Sequence, residues 1–189
     1  MSHRVIAGTA KGHRLKLVPG DTTRPVTDRV KEALFSILGS SVIERTFLDL
    51  YGGTGAVGIE ALSRGASYVR FIERNRVAVQ TIYENLESTG LKDRAEVLHT
   101  DALAYLERAT QRPFEFIYVA PPQYKKLWKK TLLRLEEHPG NMVPDATVIV
   151  QIDPSEKEDL LLEHLELYDE RRYGKTLLMF FEYIEAQNE

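Results

Sequence analysis

A run of strand-forming residues, TFLDLY (46–51), passes directly into the glycine turn Gly52-Gly53-Thr54-Gly55 and then into a helical pattern that reaches Arg64. Strand, glycine turn and helix open a βαβ unit. A chain that begins this way is committed to parallel pairing, because the helix must cross over before the next strand can dock. The alternation continues. YVRFIE (68–73) is a strand, and 75–88 is a helix carrying Val79, Ile82, Tyr83 and Leu86. AEVLHT (95–100) precedes a helix over 102–110, and FEFIYV (114–119) precedes one over 124–138. ATVIVQI (146–152) precedes a short helix over 155–161. LELYDERRY (165–173) and TLLMFFEY (176–183) meet across Gly174, too close for any link but a hairpin. Five βα units closed by a hairpin predict an α/β, Rossmann-like fold. Its sheet has seven strands, mostly parallel, ends in an antiparallel hairpin and carries helices on both faces.

Upstream, residues 3–7 and 13–18 flank Gly8 and Gly12 and read as a small β-hairpin, followed by a turn at Pro19-Gly20-Asp21. Thr27 is placed to cap a helix over 28–38, with Asp28 in its first turn and Val30, Leu34, Ile37 and Leu38 along one stripe. The expected organisation is a basic hairpin extension over 1–22 and a catalytic domain over 23–189.

The 189 residues contain no Cys, which excludes disulfides and thiolate chemistry. No stretch approaches the ~18 apolar residues of a membrane span, and the opening MSHRVIAGTAKGHR has no apolar signal core; a cytoplasmic protein is expected. The net charge of −3 is uneven: residues 1–34 carry seven Lys/Arg against three acids, and the rest of the chain is acidic. A basic arm on an acidic body suits a polyanion, or is a solvated surface. His3, His13, His99, His138 and His164 show no metal-ligand spacing, so no metal is expected.

Gly53-Thr54-Gly55-Ala56-Val57-Gly58 matches G-x-G-x-x-G, and Glu73 follows Gly53 by 20 residues, so a dinucleotide and S-adenosylmethionine compete for the turn. Asp49 favours the second. A carboxylate at the end of the first strand opposes a pyrophosphate but suits an ammonium group. A strand-end acid opening D-x-x-G-G-T-G is also the usual pattern of class I methyltransferases. Glu73, ending the second strand, can take both ribose hydroxyls. Asp101, after the third, can accept from an adenine amine or cap the helix behind it. Candidate donor-binding residues are Asp49, Tyr51, Gly52, Gly53, Gly55, Glu73, Arg74, Asp101 and Ala102. Arg74 also reads as a local ion-pair partner of Glu73.

The fourth strand runs into Ala120-Pro121-Pro122-Gln123-Tyr124. Two prolines fix φ and remove two donors, leaving carbonyls as acceptors. Amino-methyltransferases place Asp/Asn-Pro-Pro-aromatic here. The acid or amide and the first proline's carbonyl accept the two N–H bonds of a base amine, and the ring stacks on a flipped base. Ala120, Pro121, Pro122 and Tyr124 are the catalytic candidates. Lys125, Lys126, Lys129 and Lys130 surround Trp128, while Arg171, Arg172 and Lys175 sit at the last hairpin tip. They form a basic rim for phosphates or a solvated face. The substrate-contact candidates are Arg14, Lys16, Arg24, Thr27, Arg29, Lys125, Lys126 and Arg172.

The block Arg24-Pro25-Val26-Thr27-Asp28-Arg29-Val30-Lys31-Glu32-Ala33-Leu34-Phe35, with the stretch from Asp49 to Ala66, resembles the RsmD family. These bacterial enzymes methylate N2 of one guanine in 16S ribosomal RNA. The resemblance runs from about Arg4 to Tyr183. It implies the class I methyltransferase fold, S-adenosylmethionine as donor, and a 16S rRNA substrate presented on an assembled or assembling small subunit. A monomer is expected. The chain departs from the family at Ala120-Pro121-Pro122-Gln123, where the pattern is Asp-Pro-Pro-Phe/Tyr. Two other readings follow: a different amino-methyltransferase, acting on adenine N6 or a protein amide, and a weakened member that binds RNA or donor without turnover.

Overall fold

The computed structural model describes residues 3–20, 25–108 and 110–185. Its seven strands make a mixed, mostly parallel sheet. The chain divides into two compact units, Met1–Asp101 and Ala102–Glu189.

In the first unit, α1 (Asp28–Leu38) starts where the Thr27 hydroxyl accepts the Val30 N–H at 3.3 Å. The parallel strands β1 (Thr46–Asp49), β2 (Tyr68–Glu73) and β3 (Ala95–His99) lie in the order β3-β2-β1, with Asp49 beside Phe71 and Glu73 beside His99. Helix α2 (Ala56–Ser63) is buried along its whole length. A Cβ on Gly58 would lie 2.3 Å from the Phe71 ring, so only glycine lets α2 pack this close to β2. Helix α3 (Arg76–Thr89) is capped by Asn75, whose side chain accepts from Val77 N at 2.9 Å. Phe47, Leu48, Ile59, Leu62, Phe71 and Ile82 fill the core.

The N-terminal segment turns back on itself as expected, but with one isolated bridge, Arg4 to Arg14, in place of two strands. Bonds from Val5 N to His13 O (2.9 Å) and Leu15 N to His3 O (2.8 Å) close it. Other donors of the segment turn to α2: Ile6 N and Ala7 N reach Glu60, and Ala10 N reaches Ser63 Oγ. A ladder cannot extend where a neighbouring helix takes the N–H groups.

The second unit holds α4 (Ala102–Leu106), β4 (Phe114–Val119), α5 (Leu127–Glu137), β5 (Met142–Ile152), β6 (Leu165–Tyr173) and β7 (Thr176–Tyr183), with strand order β4-β5-β7-β6. β4 and β5 are parallel; β7 is antiparallel to both its neighbours. Four expectations need correction here. Strand β5 begins at Met142 rather than 146. Helix α4 stops at Leu106 rather than 110. Helix α5 begins at Leu127 rather than 124, because Tyr124 (φ +63°) and Lys126 (φ +53°) are left-handed and cannot join a right-handed helix. The helix expected over 155–161 is absent; a single 3-10 turn, Pro154–Glu156, takes its place. Leu161 is fully exposed, so a helix reaching it would leave that side chain with no surface to pack on.

Candidate active site

In the first unit, β1 ends on Asp49, which is 1 % exposed. Burial pushes its carboxyl up to about 7, against backbone N–H groups of Gly58 and Tyr51, while the Glu73 carboxylate adds to the upward push. Its Oδ1 is buried and has no hydrogen-bond partner. A buried, unpartnered carboxylate oxygen is costly and fits a cationic ligand group. The turn above it is tightly bonded: Gly52 N donates to Ile72 O (3.0 Å) and Gly55 N to Gly52 O (2.7 Å). Glu73 is already engaged. Its Oε2 accepts Gly53 N at 2.9 Å and its Oε1 accepts Asn75 N at 2.7 Å, so it tethers the turn while each oxygen keeps a second lone pair. Arg74 is exposed, and its carbonyl lies 3.0 Å from His99 Nε2. Asp101 is exposed and Ala102 is buried.

The turn is tied to the basic arm by residues the sequence did not single out. Asn85, wholly buried on α3, donates to Thr54 O (2.8 Å) and Lys16 O (3.1 Å) and accepts from Lys16 N (2.7 Å). His3 Nε2 lies 2.9 Å from Thr54 Oγ1. Burial, with Lys31 nearby, pushes the His3 imidazole below its ordinary pKa. Lys31 and Glu60 form a fully buried pair at 3.5 Å, and the Lys31 ammonium also donates to Arg4 O. Glu60 was visible as the one charged residue in the apolar run AVGIEALS; Asn85 had no such signal.

In the second unit, β4 leads into Ala120, buried Pro121 and partly exposed Pro122. Tyr124 is 68 % exposed. Its N–H donates to Glu156 Oε1 at 2.7 Å and its phenol to Asp153 Oδ2 at 3.2 Å. Asp153 in turn accepts the Ser155 N–H and hydroxyl at 2.9 and 2.7 Å. Gln123 is exposed, and Ala120 offers no side-chain acceptor.

The basic candidates fall into several states. Arg14, Arg29 and Lys125 are exposed. Lys16 pairs with Glu84 (2.8 Å), and Lys126 and Lys129 share Glu158 (3.1 and 2.9 Å). Arg172 Nε donates to Gly174 O at 3.1 Å. Thr27 is an exposed helix cap, and Arg24 lies outside the described residues. Trp128 is a core residue and not a surface aromatic among lysines. Pro25, Thr27, Asp28 and Arg29 line a depression of ≈ 400 Å³ against His3 and Leu17, so the arm and the start of α1 share one recess. Among the described residues, no group of three or more His, Asp or Glu is placed to hold a metal ion, and no helix is long and apolar enough to cross a membrane.

Residues 3–182 match the family described as Conserved hypothetical protein 95. The chain is 38 % identical over 172 residues to "Putative rRNA methyltransferase YlbH" of Bacillus subtilis (strain 168), covering 87 % of this chain and 93 % of that protein. It is 30 % identical over 186 residues to Ribosomal RNA small subunit methyltransferase D of Escherichia coli (strain K12), covering 98 % and 92 %. Among solved structures it resembles "Putative methyltransferase yhhF from Escherichia coli", with a TM-score of 0.86, 28 % identity and coverage of 97 % and 99 %.

Proposed function

This chain belongs to the Conserved hypothetical protein 95 family, the RsmD-type rRNA methyltransferases, and from that premise we propose that it methylates the exocyclic N2 amine of a guanine in 16S rRNA. The donor is S-adenosylmethionine, and the RNA is presented in an assembled or assembling small ribosomal subunit in the cytoplasm. The enzyme acts as a monomer. Residues 23–189 form the catalytic domain, and the basic arm of residues 1–22 faces the RNA.

Asp49 carries the choice of donor. Its buried Oδ1 lacks a partner, and an ammonium group supplies the missing charge and hydrogen bond. Asp49, Tyr51, Gly52, Gly53, Gly55 and Glu73 would hold the donor, with Arg74, Asp101 and Ala102 at its adenosine end. Bound S-adenosylmethionine supplies a methyl group already activated on a sulfonium, so this chain's residues need only position the acceptor. The Pro121 carbonyl accepts one N–H of the target amine, and Tyr124 gives the extruded base an exposed ring to stack on. The Ala120 side chain accepts nothing, so its carbonyl or a water takes the second N–H. The amine's proton leaves to water after transfer. Arg14, Lys16, Arg24, Thr27, Arg29, Lys125, Lys126 and Arg172 contact phosphates.

The test is incubation of labelled S-adenosylmethionine with unmethylated small subunits and, separately, with naked 16S rRNA, followed by nucleoside analysis. N2-methylguanosine from either RNA supports the proposal; label in N6-methyladenosine or in protein refutes it.

A further inference from the structure

Tyr124 holds a backbone conformation that a bulky side chain rarely adopts, φ +63°, in a residue that is mostly exposed. Burial of the ring cannot be what holds it there. The turn instead fixes both ends of the residue. Glu156 Oε1 takes its N–H at 2.7 Å, and Asp153 Oδ2 takes its phenol at 3.2 Å. Asp153 is itself held by two bonds from Ser155, within the 3-10 turn that replaces the expected helix. The second oxygen of Glu156 is buried without a partner, so closing a loop with this carboxylate carries a desolvation penalty. Strain held by surrounding groups at an exposed aromatic points to use of that aromatic.

We propose that Asp153 and Glu156 are positioning residues that clamp the Tyr124 ring as the platform for the target base. This rests on the methyl-transfer reading and deepens it. The family pattern places the aromatic directly after Pro-Pro, where this chain has Gln123. A ring one position later points elsewhere unless the backbone is turned. The left-handed residue makes that turn, and the two carboxylates hold it. Sequence shift and backbone strain thus belong to one device: a displaced aromatic returned to service by acids from the end of the next strand. Neither carboxylate touches the reacting atoms in this role.

The test has a free-protein arm and a kinetic arm. In the free, full-length protein, amide hydrogen exchange at Tyr124 is slow in the wild type and in Glu156→Gln, which keeps an acceptor oxygen, and fast in Glu156→Ala. In methylation assays on the small subunit, Glu156→Ala raises KM for the RNA about tenfold, within what one base–aromatic stack contributes, and leaves the affinity for S-adenosylhomocysteine unchanged. Glu156→Gln recovers most of that loss. Asp153→Ala and Tyr124→Phe each raise KM, and the double variant is no worse than either alone, because both remove the same bond. Unprotected exchange at Tyr124 in the wild type, or a Glu156→Ala enzyme with wild-type KM, overturns the clamp. A wild type that methylates no RNA refutes the methyl-transfer reading instead, and the exchange arm still decides whether Glu156 holds the Tyr124 backbone.

Discussion

The side-chain amide of Asn85 donates to the Thr54 carbonyl across 2.8 Å, joining the middle of α3 to the glycine turn. The same amide exchanges two bonds with the Lys16 backbone. One buried side chain therefore fixes both the glycine turn and the basic arm. Asn85→Ala strands the Thr54 carbonyl and both Lys16 groups. Stability should fall by about 1–3 kcal/mol for each group left unpaired in the interior. Urea denaturation measures the loss, and titration calorimetry should show weaker binding of S-adenosylhomocysteine. A variant with wild-type midpoint and donor affinity would reduce Asn85 to a spectator.

Asp49 should make donor binding pH-dependent. Its folded carboxyl sits at about 7, above the ordinary value of 3.8. Between those values the folded state holds the proton and the unfolded state does not. Its contribution to stability is therefore fully present at low pH and lost as pH rises through about 7. A cationic ligand selects the ionised form, so affinity rises from about pH 6 to about pH 7 and binding near the lower end releases a proton. Calorimetry in buffers of different ionisation enthalpy detects that proton. Asp49→Asn should abolish the release and weaken binding by about 1.5–3 kcal/mol. Proton release unchanged in the variant would assign the titration to another group.

The Lys31–Glu60 pair anchors the arm, because Glu60 also accepts Ile6 N and Ala7 N. Glu60→Ala leaves a buried ammonium unpaired and should cost about 3–5 kcal/mol. Limited proteolysis should then cut within residues 3–20 faster than in the wild type. Intact arms and an unmoved denaturation midpoint would show that the pair is not the anchor.

RNA affinity should depend on salt through the basic candidates. Arg14→Ala, Lys16→Ala and Lys126→Ala together should lower affinity and flatten the log–log salt slope by roughly 0.7–0.9 for each phosphate that is no longer neutralised. Arg14 should contribute most, since Glu84 already pairs with Lys16 and Glu158 with Lys126. Donor affinity should hold. A slope equal to the wild type's would identify these groups as a solvated face.

Ala120→Asn should raise the single-turnover methylation rate about ten- to a hundredfold, by supplying the second acceptor that the turn lacks. S-adenosylhomocysteine affinity should not move. A slower Ala120→Asn enzyme would mean the pocket is shaped around the small side chain.

Much of the architecture was legible because its signals are local. Strands β2, β4, β6 and β7 keep the bounds expected of them, and α1 starts at a hydroxyl cap. The helix expected over 155–161 is absent, and only the tertiary structure reveals that nothing covers Leu161. Asp49, Glu73 and the glycines could be placed by strand-end position alone. The clamp on Tyr124 could not, since a positive φ at a tyrosine has no signature in residue type, and Asp153 and Glu156 read as ordinary acids. Lys31 was hidden because charged residues are read as surface by default, whereas Glu60 stood out only by its apolar neighbours.

The arm's attachment also sets an order of events during synthesis. Lys16 waits for Asn85, 69 positions later, and Ile6 waits for Glu60, 54 positions later. Until both partners are in the chain, the segment has no seat to occupy. Its docking is among the most non-local steps in the chain, and loop-closure entropy must be met before any of its bonds forms. Seating the arm therefore has to follow the placement of both α2 and α3, the helices that carry Glu60 and Asn85.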